Sequence, residues 1–192
     1  NLQVVGATTQ PLFKEENLTS LVVKMEKIFQ YRNDHNGYAL PIGRCIAFKK
    51  NTISNFPPNL HSEDTWISLI SLKEYGFDTV KIIPALVYYT PAGNWVDWIK
   101  QRSRWIVGYN QIFLSFPELK EVHRSYVEKY RKPKEALVRQ ELIDLEKDGI
   151  DQELLAIATN FIKPLLQENA VLQKEQLLTK DGVWEPIEST KE

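Results

Sequence analysis

A chain of 192 residues is long enough for one domain, or for one domain with an appendage. Its 43% hydrophobic and 26% charged residues are the proportions of a globular protein that buries a core. A net charge of -1 supplies no global field for nucleic acid or an anionic membrane, and the single cysteine, Cys45, excludes an internal disulfide.

No stretch reaches the roughly 18 apolar residues that a membrane span needs. The nearest run, residues 105–116, is shorter and carries Asn110 and Gln111. Neither a signal peptide nor a second cysteine is present, which fits a reducing, cytoplasmic compartment. Strand-like sequence begins at the second residue and no methionine precedes it, so the chain reads as a fragment of a longer polypeptide.

Leu2, Val4, Val5 and Ala7 form a short β-branched run that predicts a strand over 2–7, ended by Pro11. Asn17 is the N-cap of a helix predicted over 17–33. Leu18, Leu21, Val22, Met25, Ile28 and Phe29 give it an apolar face, and Asn36-Gly37 breaks it. A second strand covers 40–48, interrupted by Gly43, and a loop follows through Asn55-Phe56-Pro57-Pro58. Ser62 caps a helix over 63–75 that Gly76 stops. A strong strand follows over 79–89, and Pro91-Ala92-Gly93 turns the chain into a long helix over 94–115. Everything after Pro117 reads as helix punctuated by Pro133, Gly149 and Pro164, with the charge of a solvated helix over 131–147 and a loose tail from 180. The expected class is α/β: a mixed sheet with flanking helices over 1–116, an all-helical extension over 117–179, and a tail over 180–192.

Three features stand in order: Gly43 leading into an apolar strand that ends in Lys49-Lys50, then Ser62-Glu63-Asp64 opening a helix, then Gln101-Arg102-Ser103-Arg104-Trp105 inside a helix, fitting Q-x-x-R-W. The ordered set at this spacing resembles family 2 glycosyltransferases of the cellulose, hyaluronan and poly-N-acetylglucosamine synthase kind, over roughly residues 2–108. The resemblance implies a partial GT-A fold, Rossmann-like, with residues 1–116 as its acceptor-side half. It implies an inverting transfer of sugar from a nucleotide-sugar donor to a hydroxyl of a saccharide or lipid-linked acceptor.

Such a transfer needs the acceptor hydroxyl to lose its proton as it attacks the anomeric carbon, and a carboxylate in reach serves as general base. By the resemblance Asp64 is that base and Glu63 shapes its surroundings. The bland reading of the pair is a helix N-terminus, where acids are stabilised by about 0.3–1 kcal/mol. Gln101, Arg104 and Trp105 share one helical face. By the resemblance Arg104 and Gln101 meet the diphosphate, since a guanidinium offers phosphate a two-pronged donor, and Trp105 lies under the acceptor sugar. Their bland readings are a solvated helix face and core packing. Gly43 lines the sugar pocket by the same resemblance, or is an ordinary bulge.

His35, His61 and His123 are scattered and no metal-ligand spacing appears. The family's Asp-x-Asp motif is absent ahead of Gly43. The Mg2+ or Mn2+ expected in the intact enzyme is therefore not expected to be held by this chain alone, which should bind donor poorly. Two alternatives stand. One is a non-catalytic helical interaction module retaining a degenerate glycosyltransferase segment. The other is peripheral contact of the helix over 94–115 with a membrane surface, through Trp95, Trp98 and Trp105 with Lys100, Arg102 and Arg104.

Overall fold

A computed structural model describes residues 2–13, 20–35, 40–41, 45–130 and 134–179. The chain is mixed α/β. In order it forms β1 (Val4–Pro11), α1 (Leu21–His35), β2 (Ile46–Phe48), α2 (Glu63–Tyr75), β3 (Val80–Tyr89), α3 (Trp95–Ser115), α4 (Pro117–Tyr130), α5 (Lys134–Glu146), α6 (Gln152–Ile157) and α7 (Lys163–Thr179). The predicted cap at Asn17 and residues 42–44 of the predicted strand lie outside the described residues; Leu40, Pro41 and Cys45 are not in the strand, which begins only at Ile46, where the pairing with β1 starts.

The contacts divide the chain into two compact units that interleave along the sequence. Unit 1 comprises Asn1–Pro11, Tyr38–Tyr89 and Gly108–Arg131; unit 2 comprises Leu12–Gly37, Thr90–Val107 and Lys132–Glu192. The division falls inside α3, at Gly108.

Unit 1 holds the sheet, in the order β2-β1-β3. Strand β1 pairs antiparallel with β2 and parallel with β3. It runs on past the predicted end at residue 7, because Thr8 to Pro11 find partners in Leu86 to Tyr89. The register slips between Ala7 and Thr8, which face Ile83 and Leu86, so Pro84 and Ala85 form a bulge in β3. A proline in an edge strand next to a bulge loses no ladder bond. The core of the unit joins Val4 of β1 and Val80 of β3 to Trp66, Ile67, Leu69 and Leu72 of α2, Ile112 of α3, and Leu119 and Tyr126 of α4.

Helix α2 is buried from Thr65 to Leu69 and at Ser71 and Leu72, and its two buried serines are satisfied within the helix. Ser68 Oγ donates to the Asp64 carbonyl at 2.8 Å and Ser71 Oγ to the Ile67 carbonyl at 2.8 Å. Such back-bonding lets hydroxyls enter a core without orphaning a donor.

Unit 2 is helical. Met25 and Ile28 of α1, Trp98 of α3, Leu145 of α5, Leu155 of α6, and Ala158, Ile162 and Leu166 around the start of α7 form its core. The edge of the α1–α5 contact is polar: Lys27 Nζ reaches Asp148 at 2.6 Å, Tyr31 Oη donates to Asp144 at 2.6 Å, and Arg32 Nε to Glu141 at 2.6 Å. Burial, and then the bond to Asp144, raise the Tyr31 phenol well above its ordinary range, and the same bond holds the Asp144 carboxyl below its own.

Gly149 ends α5 in the left-handed region at φ 67. Gly149 N donates to Glu146 O and Ile150 N to Leu145 O, a Schellman closure that favours glycine at this place. Asp151 then caps α6, accepting the Leu154 amide at 2.9 Å. Pro164 does not end a helix as read from sequence. It sits in the first turn of α7, just after the wider π-turn Ala158–Ile162, where its missing N–H is tolerated.

Candidate functional site

The Ser62-Glu63-Asp64 segment opens α2 in unit 1. Ser62 stands at the N-cap, yet its hydroxyl accepts no backbone amide. It donates instead to Asp64 Oδ1 at 3.0 Å and meets Thr65 Oγ1 at 2.9 Å. The orphan amide of the first turn is taken by Asp64, whose Oδ1 accepts Thr65 N at 2.7 Å. Asp64 is half-buried and Glu63 exposed. The carboxylate thus has the capping partner that the bland reading requires, held in one orientation by two donors.

The loop leading to this turn is tied to α3. Gln111 Oε1 accepts His61 N at 2.8 Å, and Gln111 Nε2 donates to Asn59 O at 2.7 Å. A Cβ on Gly108 would lie 2.7 Å from Ser62 Cβ, so only glycine admits this approach. Burial lowers the imidazole of His61 below its ordinary value, with Glu63 opposing more weakly, so the ring is neutral near pH 7. Aromatic rings flank the loop: Phe48 to Phe56 at 6.3 Å, Phe56 to Trp66 at 5.7 Å, and Trp66 to Phe116 at 6.2 Å.

Gln101, Arg104 and Trp105 lie on α3 within unit 2, all half-buried. Gln101 Oε1 is buried with no hydrogen-bond partner among the described residues. Trp105 has the Arg102 guanidinium 4.6 Å from its ring centroid, a cation–π contact. Gly43 lies outside the described residues.

Sequence reasoning missed a buried charge pair on this helix. Arg102, 3% exposed, pairs through Nη2 with Glu26 Oε2, whose residue is 0% exposed. Trp98 Nε1 donates to the same oxygen at 2.8 Å. The guanidinium also lies 5.5 Å from the Phe29 ring and 5.7 Å from Trp98. By sequence Arg102 reads with Lys100 and Arg104 as a charge for a membrane surface. No sequence signal separates it from them, because its partner is 76 residues away. With Trp98 and Arg102 inside unit 2, the set of residues that a membrane surface could meet on this helix shrinks to its partly exposed members.

Among the described residues no group of three or more His, Cys, Asp or Glu side chains is arranged to hold a metal ion. The divalent ion that the resemblance implies has no ligand set among them, and no step is assigned to it. Among the described residues no helix is long and apolar enough to cross a membrane. Comparison with protein families, curated proteins and solved structures finds no match to this chain.

Proposed function

We propose that this chain carries the acceptor-side half of an inverting glycosyltransferase, moving a sugar from a nucleotide-sugar donor to a hydroxyl of a saccharide or lipid-linked acceptor. The observation that carries the proposal is the order of motifs upon elements. Strand β2, with Lys49-Lys50 just after it, is followed by Glu63-Asp64 in the first turn of α2, then by β3, then by Gln101, Arg104 and Trp105 at helical spacing on α3.

In this reading the acceptor oxygen attacks the anomeric carbon while its proton passes to the Asp64 carboxylate. The bond to the nucleoside diphosphate breaks on the opposite face, which inverts the centre. Arg104 stabilises the charge gathering on the departing diphosphate. Gln101 Oε1, an acceptor without a partner among the described residues, suits a substrate hydroxyl. The orientation that Ser62 and Thr65 give the carboxylate suits a base, since a fixed lone pair loses little freedom when the proton moves.

The test uses the intact polypeptide, with its donor-binding half, and follows nucleoside diphosphate release in the presence of acceptor. Asp64→Asn keeps size and hydrogen bonding but removes the proton acceptor. It should leave donor binding intact by calorimetry and slow transfer at least ~100-fold. Transfer at the wild-type rate would leave Asp64 as a helix-capping residue alone.

A further inference from the structure

We propose that Gln111 is a positioning residue for Asp64, acting through the Asn59–Ser62 turn; the inference rests on the reading of Asp64 given above. Three independent observations converge on this turn. Asn59 is the non-glycine residue with positive φ, at 60, among the described residues. That backbone conformation is sparsely populated and persists where the surroundings hold it. The Gln111 amide spans the turn with both ends, donating to the Asn59 carbonyl at 2.7 Å and accepting the His61 amide at 2.8 Å. One turn earlier on α3, Gly108 clears the space into which Ser62 fits, with 2.7 Å between a notional Cβ and Ser62 Cβ.

The link to the carboxylate is short. Ser62 follows His61 directly, and its hydroxyl donates to Asp64 Oδ1 at 3.0 Å. Ser62 Oγ, released from the ordinary capping role, is free to make that bond because Asp64 takes the Thr65 amide itself. The direction of the Asp64 carboxylate is therefore set by Ser62 together with the Thr65 amide, the place of Ser62 by the turn, and the turn by Gln111. A glutamine is suited to the task, since clamping an N–H and a C=O together needs one acceptor and one donor on a planar group.

Amide hydrogen exchange in the 15N-labelled chain tests this without any transfer assay. Gln111→Ala removes both bonds, so the His61 amide should exchange about tenfold faster, the worth of one net hydrogen bond. The Thr65 amide donates to Asp64 Oδ1 and so reports the carboxylate. It should also accelerate several-fold, while the amides of Leu69 and Leu72 in the α2 core keep their rates. Gln111→Glu retains the acceptor for His61 but sets an oxygen against the Asn59 carbonyl. It should fall between wild type and Gln111→Ala, and it serves if the alanine variant fails to fold by circular dichroism. An accelerated His61 with an unchanged Thr65 would overturn the inference, reducing Gln111 to support for the loop. Unchanged rates at both would overturn it as well. Because exchange involves no sugar transfer, failure here leaves the base assignment standing, and a fully active Asp64→Asn enzyme would not alter the exchange result.

Discussion

Removing the charge of Glu26 should destabilise unit 2 more than any conservative surface change. Glu26→Gln keeps the shape of the side chain and an acceptor for Trp98 Nε1, but leaves the Arg102 guanidinium, 3% exposed, without a counter-charge. Breaking a buried pair by neutralising one partner costs about 3–5 kcal/mol. With a urea dependence of about 1–3 kcal/mol per molar, the midpoint for unit 2 should fall by about 2 M. The double variant Glu26→Leu with Arg102→Met removes both charges. Its remaining cost is the unpartnered Trp98 N–H, about 1–3 kcal/mol, so the two substitutions should be strongly non-additive. The assay is equilibrium urea unfolding followed by tryptophan fluorescence in a Trp66→Phe, Trp184→Phe background, where Trp95, Trp98 and Trp105 report on unit 2. A midpoint shift below about 0.5 M for Glu26→Gln would show that the charge pair contributes little, and the reasoning from burial would fail.

Three further outcomes follow from the same geometry. Under the proposed function, Arg104→Lys in the intact polypeptide keeps charge but loses the fork, so donor affinity measured by calorimetry should weaken together with turnover; unchanged affinity would detach Arg104 from the diphosphate. Gly108→Ala should gain about 1 kcal/mol of helix propensity but meet Ser62 Cβ at 2.7 Å, and overpacking of about 1–3 kcal/mol should win, visible as a lowered Tm. His123, packed against Tyr109 and Phe113 at 5.6 and 5.5 Å, has its imidazole held below the ordinary value by burial. Below about pH 6.5 the unfolded chain takes up a proton that the folded chain refuses, so this contribution is present above that pH and lost as pH falls. Thermal unfolding at pH 7.5 and 5.5 should show a smaller drop for His123→Phe than for wild type, and an equal drop would refute the assignment.

Local punctuation made much of the fold legible. Helix α2 occupies the predicted residues 63–75, between Ser62 and Gly76, although its first-turn amide is taken by Asp64 and not by the Ser62 hydroxyl, and α3 starts one residue later than predicted, after the Pro91-Ala92-Gly93 turn. The apolar runs at 2–7 and 79–89 identified two strands, since period and β-branching are properties of the segment itself. The face shared by Gln101, Arg104 and Trp105 is likewise a matter of helical spacing.

What needed tertiary structure is whatever depends on a partner distant in sequence. Strand β1 reaches Pro11 only because β3 offers a ladder beside it, and the bulge at Pro84-Ala85 exists only as a mismatch between the two strands. Arg102 reads as one of three similar cations until Glu26, 76 residues earlier, is seen against it. Gln111 is an interruption of an apolar run until the Asn59–Ser62 turn is placed on it. The interleaving of two cores along one chain is of the same kind. Hydrophobic period tells which face of each element must be buried, but it does not tell which other face will cover it, and that choice is made only when the whole chain has packed.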